Sequence, residues 1–165
     1  MSILKICAVT LLVMLAGCSF KQNKPPANLQ FSKIERVRKT VLYDLYFSSD
    51  VNILGPYKSL VGVRLICALG DDLDFSTGHR MKWFVKGSVS QDRTGTDLDF
   101  VSRITFNESD TNGSSESDLK AAELKNLLKS KTEIPCRFLA NATMMDTYYS
   151  NVMYVPVESI IRAVE

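Results

Sequence analysis

Residues able to do chemistry are sparse in this chain and fall into no catalytic pattern. Its single histidine, His79, sits in Thr77-Gly78-His79-Arg80 just before an alternating stretch. A catalytic histidine needs a nucleophile at one ring nitrogen and an orienting acid at the other. No sequence signature supplies either, so His79 reads as an exposed loop residue. Asp71, Asp72 and Asp74, and later Asp97 and Asp99, have the density of a calcium loop. They lack the glycine and the distal glutamate that an EF-hand requires, and read as acidic loop ends that discourage strand pairing. One histidine without a paired-cysteine motif speaks against structural zinc. The expectation is therefore no metal, no dissociable cofactor and no enzyme.

Tyr148-Tyr149-Ser150-Asn151, followed by Val152-Met153-Tyr154, reads differently. Tyrosine and methionine are enriched at recognition surfaces, which makes Tyr148, Tyr149, Asn151, Met153 and Tyr154 the candidate partner-binding residues. The alternative is an ordinary strand whose tyrosine hydroxyls reach water. Lys33, Arg36, Arg38 and Lys39 form a basic cluster opposed only by Glu35. It reads as a solvated edge, or as a patch facing anionic headgroups at about 1 kcal/mol per charge.

At the N terminus, a weakly positive start leads into residues 6–15, apolar apart from Thr10. That run is shorter than the roughly 20 residues a membrane-spanning helix needs and has the make-up of a signal-peptide core. Leu15-Ala16-Gly17-Cys18 follows. This resembles the lipobox of bacterial lipoproteins, and the resemblance covers the leader only. It implies removal of residues 1–17 and a diacylglyceryl group on the Cys18 thiol, with an acyl chain on its freed amine. Several chains give stable membrane attachment. In Gram-negative lipoproteins an aspartate after the cysteine retains the protein in the inner membrane; Ser19 here favours the outer membrane, facing the periplasm, with the inner membrane and the cell surface as the other addresses.

Export bears on the remaining cysteines. Of four, Cys7 leaves with the leader and Cys18 carries lipid, so Cys67 and Cys136 are left in an oxidising compartment, where a bridge is favoured. A bond closing about 70 residues stabilises by about 4 kcal/mol in the chain-entropy model. The other reading is a pair of buried thiols acting as small hydrophobes.

The elements that must position these residues follow from periodicity. Residues 18–30, polar and carrying Pro25-Pro26, read as a flexible tether, and 31–165 as a single domain. Strands are predicted over 40–48, 59–69, 80–89 and 97–106, the last three with apolar residues on one face. Trp83 falls on the apolar face, while Lys82, Phe84, Lys86 and Ser88 share the wet one. A helix capped by Ser117 or Asp118 runs to about 130. Residues 133–145 and 148–155 form a hairpin, and Pro156 opens a short terminal helix. The fold class is α+β: an antiparallel sheet of about five to six strands, one helix before the last hairpin and a short C-terminal helix.

Composition is ordinary for a globular domain, with 45% apolar and 23% charged residues. A net charge of +2 speaks against nucleic acid as partner. These features suit a membrane-anchored envelope lipoprotein acting as a non-catalytic interaction or assembly module of the secretion, pilus, cell-wall or exclusion type, with an envelope protein as partner. The alternative is a periplasm-facing lipoprotein that binds a small molecule, lipid or glycan.

Overall fold

Alternating strands of this kind have one apolar face to bury, and here the sheet buries it by curling around a core that two helices complete. The computed structural model of the protein describes residues 24–55, 62–110, 115–141 and 146–165. Among them are nine strands: β1 (Leu29–Arg36), β2 (Tyr43–Ser49), β3 (Gly62–Ala68), β4 (Trp83–Gln91), β5 (Asp99–Ser109), β6 (Glu116–Asp118), β7 (Glu133–Asn141), β8 (Tyr148–Tyr149) and β9 (Met153–Pro156). Helix α1 (Ala121–Leu128) precedes β7 and α2 (Val157–Val164) follows β9. The sheet runs β1-β2-β5-β4-β3-β7, with β6 beside β5 and both β8 and β9 along the far edge of β7. Every pairing is antiparallel.

The sheet curls into a half-barrel. Its inner face carries Leu45, Phe47, Leu65, Val85, Phe100, Ile104 and Phe138, all buried, and Phe47 stacks on Phe100 at 5.8 Å. At Gly87, opposite Ile104, β4 and β5 approach closely. A Cβ there would lie 2.4 Å from the Arg103 carbonyl oxygen, so only glycine fits. Val157, Ile160 and Val164 of α2 and Leu124 and Leu128 of α1 join the same core.

One seam closes the curl. The Ala27 N–H donates to the Tyr148 hydroxyl (2.6 Å), which in turn donates to the Pro25 carbonyl (3.1 Å). The Asn151 N–H donates to the Ala27 carbonyl (2.9 Å), and its side-chain amide to Asn28 Oδ1 (2.7 Å). The segment before β1 thus joins the first edge of the sheet to the last.

The sheet is larger than the five to six strands expected, for local reasons. β1 lies where a tether was expected to reach residue 30: Leu29, Phe31 and Ile34 pack against the core, but a register shift between Phe31 and Lys33 breaks their alternation. β6 occupies Ser117 and Asp118, expected as helix caps. They pair with Glu108 and Asn107, and α1 starts later, with the Glu123 carboxylate accepting from the Lys120 N–H. Trp83, expected in the core, is half-buried at its margin, and its indole N–H donates to Glu108 (3.1 Å).

Candidate functional site

The residues singled out by sequence are dispersed. Cys18 and the leader lie outside the described residues. Cys67 and Cys136 form a disulfide (S–S 2.00 Å) between facing positions of β3 and β7, fully buried in the core. The bridge staples the interior and offers nothing to a ligand. The tyrosine-rich run is divided by a bulge. Leu139↔Tyr149 and Cys136↔Met153 differ in register by one residue, and the slip is absorbed at 150–152, where the Ser150 N–H donates to the Phe138 carbonyl. Tyr148 and Met153 are buried, and Asn151 spends its amide on the seam. Tyr149 turns to the outer face. Tyr154 stands open, 54% exposed, on an edge strand, and Asn151 before it is exposed as well.

The outer face supplies what the sequence reading missed. Strand register places Ile66 of β3 between Lys86 of β4 and Arg137 of β7, and Arg64 between Ser88 and Leu139. Ile66, Phe84 and Leu139 are apolar residues on a face that should be wet. They are covered by residues 70–82, which fold back over the sheet after β3. Phe75 and Met81 of this loop are buried against Ala68 and Phe84, and the Arg137 guanidinium lies 5.9 Å from the Phe75 ring.

Polar contacts pin the loop down. The Tyr149 hydroxyl accepts the Thr77 N–H (3.0 Å), and the Thr77 hydroxyl also meets those of Tyr149 (3.0 Å) and Thr147 (2.8 Å). A turn from Ser76 to His79 is closed by the His79 N–H on the Ser76 carbonyl (3.1 Å), with Gly78 at φ +92°. Lys131 donates to the Gly70 carbonyl (3.1 Å) and to Asp71 (2.6 Å), but Asp71 is 99% exposed and that ion pair adds little.

His79 belongs to this latch. Its Nε2 meets Asp72 at 2.7 Å and its Nδ1 meets Asp74 at 3.5 Å. The hydrogen bond to Asp72 raises the imidazole pKa above its ordinary 6.5, and the same bond lowers that of Asp72. Asp74 is lowered by the Ser76 hydroxyl and by the Ser76 N–H, which donates at 2.8 Å. With both nitrogens facing carboxylates, His79 has none turned to a nucleophile, the arrangement a catalytic base requires. Asp72 and Asp74 also cap their own loop, Asp72 accepting the Asp74 N–H (3.1 Å). Among the described residues no group of three histidine, cysteine or acidic side chains is placed to hold a metal.

Between loop and sheet lies a cavity of about 210 Å³. Its floor is Ile66, Phe84 and Leu139, and Arg64, Arg80, Lys86 and His79 line its sides with Asp74, Glu116 and Asn141. Lys86 pairs with Glu116. Among the described residues Arg64 and Arg80 have no hydrogen-bond or ion-pair partner, and Asn141 Oδ1 is buried without one. The signal for this site was present in the sequence as three apolar side chains at wet-face positions.

No protein-family model, no curated protein and no solved structure matches this chain.

Proposed function

We propose that this chain is a lipid-anchored envelope protein, held through Cys18 on the outer membrane and facing the periplasm, and that it serves as a non-catalytic docking module. The observation that carries the reading is the filled interior. Phe47, Phe100, Phe138, Leu65 and Val85 are at most 1% exposed on the inner face. A half-barrel packed in this way does its recognising on the outside. The edge strand β9 is one such surface: its Tyr154 is open, and beyond β7 no strand pairs with it among the described residues. An unpaired edge is a template for a partner's strand.

Two experiments test the reading separately. Replacing Cys18 by Ala is expected to release the protein from the membrane fraction; a variant recovered wholly with membranes overturns the anchor. A photo-crosslinking amino acid at position 154 in intact envelopes is expected to give one discrete adduct, weakened when Val152 is changed to Pro. Adducts that are absent, or equally strong from position 103 on β5, away from this edge on the same outer face, overturn docking through this edge.

A second reading, a lipoprotein that binds a small ligand, is favoured by the outer-face cavity.

A further inference from the structure

We propose that the cavity under residues 70–82 is a binding site for a small carboxylate carried on a compact apolar group, of about the size of a single amino acid. The inference is independent of docking through β9 and rests on charge, lining and volume.

Charge comes first. Most cations on this protein's outer face have partners: Lys33 with Glu35, Arg103 with Asp44, Lys86 with Glu116. Among the described residues Arg64, Arg80 and Arg137 do not; Arg137 lies against the Phe75 ring with its Nε buried, whereas Arg64 and Arg80 come from separate elements and line the same cavity. Two unpaired guanidinium groups facing one space make it attractive to an anion, and their planar donor forks match a carboxylate. Asp74 is already engaged by Ser76 and His79, and Glu116 by Lys86, which leaves the two arginines as the unneutralised charge.

Lining and volume then fix the rest of the ligand. Beneath the arginines lie Ile66, Phe84 and Leu139, a floor that favours an apolar body over water. A volume of about 210 Å³ lies below the range of about 300–1,000 Å³ typical for drug-sized ligands. A free hydroxy or amino acid with an apolar side chain carries this chemistry, and so does the C-terminal residue of a polypeptide.

The test is a titration of the full chain in detergent, followed by amide chemical shifts. The probes are 2-hydroxy-4-methylpentanoate, N-acetyl-leucine, N-acetyl-leucinamide, and an acetylated tripeptide ending in leucine with either a free or an amidated terminus. Saturable shifts at Arg64, Gly78, His79 and Leu139 are expected with the carboxylates, and binding at least tenfold weaker with the amides. Arg64→Gln and Arg80→Gln are each expected to weaken carboxylate binding about tenfold while leaving the unfolding midpoint unchanged. If the tripeptide acid binds more tightly than the two free acids, the ligand is a chain terminus; if the free acids bind as well or better, it is a small molecule. No saturable shift below about 10 mM with any carboxylate overturns the proposal. So does equal binding of acid and amide, or binding indifferent to both arginine substitutions in folded protein.

Discussion

The outer face of the sheet has two halves built on opposite principles. Over β1, β2 and β5 it is open, and its charges are satisfied in place. Arg103 grips Asp44 with two hydrogen bonds of 2.9 and 3.0 Å, and Lys33 meets Glu35 while its ammonium lies 4.5 Å from the Tyr46 ring. Over β3, β4 and β7 the face is apolar and roofed by residues 70–82, and there two arginines are left unpaired beside a cavity. The first half needs nothing from outside to be a stable surface. The second half has spent a loop on covering itself, and the charges it leaves unpaired are the ones available to a partner molecule. Exposed charge alone is therefore a poor guide to function in this protein; unneutralised charge over an apolar floor is a better one.

Substitutions can break that contrast. Phe75→Ala removes the buried plug of the roof and is expected to cost about 3 kcal/mol, read as a lowered denaturant midpoint, with faster amide exchange across 70–82. Tyr46→Ala on the open half should cost far less, and equal costs would abolish the distinction. Tyr149→Phe deletes the hydroxyl that accepts the Thr77 N–H and is expected to lose about 1 kcal/mol, with exchange rising at Thr77 before any global change. Arg103→Gln breaks an exposed pair with an expected effect below about 1 kcal/mol that shrinks further in high salt; a larger loss would mean that the open half also depends on its charges.

The smallest effect concerns pH. The folded pKa of His79 is raised, so its contribution is fully present below the ordinary 6.5 and is lost as pH climbs through the raised value. Asp72 and Asp74 are lowered, so theirs is present above 3.8 and is lost as pH falls through the depressed values. The latch is thus strongest between those limits. Protection of the amides in residues 72–79 should be greatest in that window, and a His79→Asn protein should lose the alkaline limb and keep only the part of the acid limb that the loop's own donors to Asp72 and Asp74 supply.

Much of the inner face was legible from alternation. Leu65 and Cys67, Val85 and Val89, and Phe100, Ile104 and Phe106 all fall on the buried side, because a period of two has only one way to face a core. The C-terminal helix was legible too, from Val157, Ile160 and Val164 at helical spacing. What escaped did so where periodicity breaks. β1 is interrupted by its register shift, and β6 is three exposed residues with no apolar pattern, ordered by pairing alone. The bulge at 150–152 sends Tyr148 to the seam and leaves Tyr154 in the open, a division that a run of similar residue types conceals. The cavity was half legible. Ile66, Phe84 and Leu139 violate the wet face, but naming their cover required knowing that a loop after β3 turns back over the strands. The pairing of His79 with Asp72 spans seven residues of that same loop and depends on its path.

The seam has a mechanical consequence. Pro25, Ala27 and Asn28 are hydrogen-bonded to Tyr148 and Asn151 before the chain enters β1. Tension arriving from the N-terminal side at residue 24 is therefore borne first by those bonds, loaded together across the two ends of the sheet. The disulfide staple, one strand further in, lies outside the line of force until the seam opens. Traction on the N terminus would uncurl the half-barrel at its rim and expose the inner edges of β1 and β9 while β3, β4 and β7 remained bound together. In mechanical terms the domain is a hook fastened at its lip: the same contacts that complete the fold decide where it yields.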